Sequence, residues 1–180
     1  MKNHIRIAAI IICSITVSMG YAEENIATIN NTFANALGFY AASIGASSGL
    51  YGLHYQHWAG DFGFQITGGG TYTPNYYFSG GSLLDYSVAL EGLWTVYGGE
   101  YVRDIAGRLY LWAMGGHHGY LDDTDDTQNF VVNFTSGLGI GIETILYQHF
   151  SIPIEFGYTA EFPTETSFGF SFGAGLRYRY

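Results

Sequence analysis

Side chains that could do chemistry are few in this sequence and gather in a few places. His117-His118, followed by Asp122-Asp123-Thr124-Asp125-Asp126, is the densest polar cluster in the chain. Asp122, Asp123, Asp125 and Asp126 would offer hard oxygen ligands to Ca²⁺ or Mg²⁺. The run lacks the glycine at position 6 and glutamate at position 12 of an EF-hand loop. The simpler reading is a solvated acidic loop that ends a strand. Nucleophilic hydrolysis or acyl transfer needs a serine, a histidine base and a carboxylate that orients it. His54, His57, His117, His118 and His149 could serve as bases, and Ser79, Ser82 and Ser136 as nucleophiles. No spacing along the chain pairs any two of them. No cofactor is expected.

Charge and composition set the medium in which such groups would work. The chain has 26 Gly, 16 Tyr, 13 Phe and 3 Trp among 180 residues, but only 12% charged residues. Soluble domains carry about 25%, so the outer surface is not dressed for water. Disordered chains are charged and poor in aromatics, which this one is not. Beyond residue 22 there are four Arg, no Lys and fifteen acids, a net charge of −11. Nucleic acid needs a cationic footprint, so that class of partner is excluded.

Residues 1–22 read as an export signal. Lys2 and Arg6 precede an apolar run from Ile7 to Val17, and Gly20-Tyr21-Ala22 supplies small residues at a cleavage site. The run is too short for the ~20 residues that span a bilayer as a helix. Cys13, the sole cysteine, lies inside it, so the mature chain has neither disulfide nor thiolate site. Residues 23–35 read as a short polar lead-in on the periplasmic side.

The remainder alternates with a period of two. Across 130–143, 151–162 and 167–180, 19 of the 20 even positions are apolar, Ser136 being the exception. That is the signature of strands with one greasy face. The opposite face carries Gly, Ser, Thr and scattered charges, which suits a cramped interior. Large residues outside and small polar ones inside describe a transmembrane β-barrel, whose closure pairs every backbone group in lipid. Eight strands are expected, at 36–44, 50–58, 62–73, 83–97, 108–121, 130–144, 151–162 and 167–180. Short turns are expected at 59–61, 102–107 and 147–150, and outer loops at 45–49, 74–82, 122–129 and 163–166. The fold class is therefore all-β, an antiparallel up-and-down barrel over 36–180. Inward charges are expected at Asp85, Glu91, Arg108, Glu143, Glu155, Glu161, Arg177 and Arg179, with five acids against three arginines. Eight strands leave room for side chains and little else, so the expected interior is filled. Trp58, Trp94, Tyr72, Tyr76 and Tyr77 are expected in aromatic girdles at the two rims.

The ending Gly175-Leu176-Arg177-Tyr178-Arg179-Tyr180 resembles the C-terminal assembly signal of bacterial outer-membrane proteins. Gly175, Tyr178 and Tyr180 carry the match, while Gly173 departs from the polar residue usual before it. The plan as a whole is similar to the small eight-stranded barrels of the OmpA/OmpX type, with no soluble domain expected after the barrel. That resemblance implies recognition by the barrel-assembly machinery and residence among outer-membrane lipid and lipopolysaccharide, as a monomer. A structural, surface-interaction or membrane-integrity role is expected, with divalent cations bridging the acidic loop to lipopolysaccharide. Two alternatives stand beside it. One is a lipid-A acyltransferase or deacylase, an activity that some such barrels have. The other is a narrow ion-conducting channel.

Overall fold

The computed structural model describes residues 33–44, 48–76, 81–122, 129–163 and 167–180. Eight strands run in order: β1 (Asn35–Ile44), β2 (Ser48–Ala59), β3 (Phe62–Tyr76), β4 (Gly81–Val102), β5 (Ile105–Asp122), β6 (Asn129–Leu146), β7 (Phe150–Pro163) and β8 (Ser167–Arg179). Each pairs antiparallel with its chain neighbours, and β8 closes on β1 with Leu37 opposite Tyr178 and Tyr40 opposite Gly175. The result is a closed barrel with no free sheet edge along the paired region.

Polarity is inverted relative to a water-soluble barrel. Phe39, Leu138 and Phe168 face outward at 69%, 68% and 74% exposure. Arg108, Glu143, Gln65, Thr67 and Arg177 are buried inside. The alternation visible in β6, β7 and β8 is thus the alternation of outer surface and lumen.

Gly60 and Asp61 turn β2 into β3, and Arg103 and Asp104 turn β4 into β5. Tyr147 to His149 connect β6 to β7, with Tyr147 and Gln148 at φ 50° and 62°. These three turns share one end of the barrel with Phe33 and Tyr180, hereafter the turn end. At the opposite end, hereafter the loop end, the strands β1–β2, β3–β4, β5–β6 and β7–β8 are joined through 45–47, 77–80, 123–128 and 164–166, all outside the described residues. The expected lead-in also lies outside them, apart from its last three residues.

The largest departure from the sequence reading is in β4. It continues to Val102, and the turn expected over 102–107 contracts to two residues. A register shift between Thr95 and Tyr97 explains this. At such a bulge one strand carries an extra residue and the alternation slips by one. Val96 and Tyr97 consequently both face outward, so a period of two followed along the sequence stops there.

Inward glycines make room for inward rings. A Cβ at Gly141 would overlap the Tyr110 ring on the neighbouring strand, and one at Gly157 would overlap Trp112. At Gly173 it would strike Tyr40. The glycine-rich composition therefore belongs to a narrow interior packed with a few large side chains.

Candidate functional site

The lumen holds the densest array of polar contacts in the described residues. It is layered along the barrel axis. At the turn end, Arg179 donates from Nη2 to the Phe33 carbonyl at 2.8 Å. Its own carbonyl meets His149 Nδ1 at 3.1 Å. One step inward, Glu143 receives two guanidinium groups, Arg108 Nη1 at 3.4 Å and Arg177 Nη2 at 3.5 Å. Arg108 and Glu143 are opposite one another on β5 and β6, while Arg177 comes from β8. Arg108 also lies 3.7 Å from the centre of the Trp58 ring. A cation over an indole face is stabilised most where water is excluded.

Arg177 ties this layer to the next. Its Nη1 donates to Gln65 Oε1 at 3.3 Å and to His54 Nε2 at 3.1 Å. A guanidinium can only donate, so His54 Nε2 accepts and its Nδ1–H points to Thr67 Oγ1 at 2.8 Å. Gln56 Nε2 donates to the same Gln65 oxygen at 3.3 Å. The other end of Gln65 bridges two acids, with Nε2 at 2.6 Å from Glu91 Oε2 and 2.9 Å from Glu155 Oε1. Glu155 accepts two further hydrogen bonds, from Tyr110 at 2.5 Å and from Tyr40.

Toward the loop end an apolar layer follows, in which Tyr40, Leu50 and Ala89 pack with Ala42 and Met114. Past it the lumen becomes polar again. Asp85 is half-buried there, 3.5 Å from His118 Nε2 and accepting from Tyr51 at 3.2 Å. Glu161 accepts from Ser167 at 3.1 Å.

The eight inward charges read from the sequence are thus distributed over four levels of one interior. Sequence reasoning missed much that joins them. Gln56, Gln65 and Thr67 are inward and buried, and so is His54, which sequence reading weighed only as a catalytic base. On β2 both faces mix polar and apolar types, so parity alone gave no direction. Trp58 requires a correction: it is buried under Arg108 inside the barrel, not in a rim girdle. Trp94 does face outward, stacked on Phe62.

The apparent His-Asp cluster divides. His118 points inward to Asp85, while His117, adjacent in a strand, faces outward against Tyr86 and Phe134. Asp122 ends β5, and Asp123, Asp125 and Asp126 lie outside the described residues. Among the described residues, no three His, Cys, Asp or Glu side chains gather as a metal site.

The catalytic candidates scatter likewise. Ser79 lies outside the described residues, and Ser82 is placed on β4 opposite Pro74. His57 meets Asn35 Oδ1 at 2.9 Å, and His149 stacks on Tyr178 at the turn end. Ser136 and His117 do share the outer face of adjacent strands, Ser136 opposite Gly115 and His117 opposite Phe134. That proximity is invisible along the chain. No carboxylate joins them on that face among the described residues. Of the terminal motif, Gly175 lies opposite Tyr40, while Tyr178 and Tyr180 face outward.

The same architecture occurs in the N-terminal β-barrel domain of Pseudomonas aeruginosa OprF. The match has 14% identity and a TM-score of 0.55, covering 81% of this chain and 96% of that one. The chain has the fold of that barrel. Two further matches are weaker: Neisserial surface protein A at 15% identity and TM-score 0.46, and Ail, the attachment invasion locus protein of Yersinia pestis, at 13% and 0.42. Each covers 81% of this chain, with 94% and 96% of the other. No family model matches the sequence, and no curated protein does.

Proposed function

We propose that this chain is a monomeric integral protein of the bacterial outer membrane, with a plugged lumen and a structural or surface-interaction role. One observation carries the reading: a closed barrel with its large apolar side chains outside and its charges inside. Such a surface is matched to hydrocarbon, and closure satisfies the backbone there. The turn end would face the periplasm and the loop end the exterior. The plug would be the Glu143 ion pairs, the Gln65 bridge and the apolar layer around Leu50, stacked in series across the lumen. Ions would have to displace all three.

All positive charge after residue 22 sits on Arg103, Arg108, Arg177 and Arg179, either at the turn end or within the lumen. The sequence of the loop end has acids and no Lys or Arg. Against anionic lipopolysaccharide, divalent cations would bridge the two. The experiment is fractionation of cells expressing the full chain. The reading expects the protein in the outer-membrane pellet after a carbonate wash, migrating differently with and without boiling. Release into the soluble fraction would contradict it. Lipid A from the same cells, examined by mass spectrometry, should be unchanged; an altered acyl pattern would favour a lipid-modifying enzyme instead.

A further inference from the structure

The charges in the lumen do not balance if every acid is ionised. Among the described residues, Glu91, Glu143, Glu155 and Glu161 are buried there against Arg108, Arg177 and Arg179. Asp85 lies nearer the mouth, with His118 and Tyr51. One buried acid is therefore in excess, and an uncompensated buried charge is costly.

The ion pairs and hydrogen bonds together single out where that excess sits. Glu143 is held by two guanidinium groups. Glu155 takes three donors, from Gln65, Tyr110 and Tyr40. Glu91 is 2% exposed and takes one donor, the Gln65 amide it shares with Glu155. The two carboxylate oxygens on that amide are at most about 5.5 Å apart, given its 2.6 and 2.9 Å contacts. Two carboxylates sharing one site cannot both ionise freely. Around the pair lie Tyr40 on β1, His54 on β2, Tyr110 on β5, Glu143 on β6 and Arg177 on β8. Of these only Arg177 is cationic, and it is already engaged by Glu143 and by the oxygen of Gln65. Gln56 Oε1, on the strand beside Gln65, is a buried acceptor without a partner.

We propose that Glu91 and Glu155 form a single-proton site in the middle of the lumen, with the proton on Glu91 and the negative charge on Glu155. With that proton bound, the fully buried groups balance, three arginines against three carboxylates. Losing it would place two negative charges on one amide and loosen the layer. The proton is thus a structural ligand of the plug, and alkaline solution its antagonist. The site rests on the plugged-lumen reading, because bulk water would screen the two acids from each other.

Infrared spectroscopy of the refolded chain in lipid vesicles tests this. The wild type should show a protonated-carboxyl band at neutral pH. Glu91→Gln should lose it and Glu161→Gln should keep it. Should Glu91→Gln fail to fold, Glu91→Asp should shift the band instead. Urea midpoints add a second readout: Glu91→Gln should match the wild type at neutral pH and resist alkaline loss of stability, whereas Glu155→Gln should fall. No band in the wild type, a band untouched by either Glu91 variant, or equal losses from Glu91→Gln and Glu155→Gln would each overturn the proposal. Bilayer conductance of the same preparation separates the two ideas. A conducting barrel that keeps the band refutes the plug and leaves the proton site, and a silent barrel without the band does the reverse.

Discussion

Arg177 ties two levels of the lumen together, reaching Glu143, Gln65 and His54 from β8. Replacing it with Met would leave Glu143 with a single weak partner and Gln65 Oε1 with one donor fewer. Breaking a buried pair on one side costs about 3–5 kcal/mol, which urea unfolding in detergent or vesicles would register. A variant as stable as the wild type would mean that water already reaches Glu143. Gly141 makes the complementary point about space. Gly141→Val drives a side chain into the Tyr110 ring, and overpacking of this kind costs about 1–3 kcal/mol. Combining it with Tyr110→Ala should recover part of that loss in the same assay, because the clash partner is gone. If the double variant is no better than Gly141→Val alone, backbone strain and not the ring is the obstacle.

At the scale of the strand, alternation decides what can be read without coordinates. β6, β7 and β8 were legible residue by residue because one face is almost wholly apolar and the other almost wholly not. β2 was not, since Leu50, His54, Gln56 and Trp58 share its inward face, and no period of two in polarity survives that mixture. The lower half of β4 was hidden for another reason, the bulge at Val96. Deleting Val96 would remove the extra residue and restore strict alternation, with Thr95 inward, Tyr97 still outward and the pairing with β5 unchanged. The deletion variant should therefore refold and keep the heat-modifiable band, and loss of that band would mean that the bulge itself is needed for closure. Position along the strand matters for the outer face too. Leu138→Arg, in the middle of β6, should destabilise by about 2–4 kcal/mol, falling to about 0–1 near the rims. Tyr101→Arg, beside the β4–β5 turn, should show the smaller value. Equal small effects would say that the outer surface meets water.

Over the whole molecule, the unusual composition resolves into geometry. Aromatics and aliphatics form the outer wall, glycines admit a few inward rings, and three of the four arginines after residue 22 are spent inside. What sequence could not supply was the wiring of the lumen, because its partners are up to 146 residues apart, as Phe33 and Arg179 are. Periodicity says which face a residue takes and nothing about which residue it meets across the barrel. The central claim is that this wiring plugs the barrel. Planar-bilayer conductance of the refolded chain at neutral pH tests it most directly. A plugged lumen predicts no current steps above the bare bilayer, and discrete, reproducible openings from the wild-type chain would contradict it.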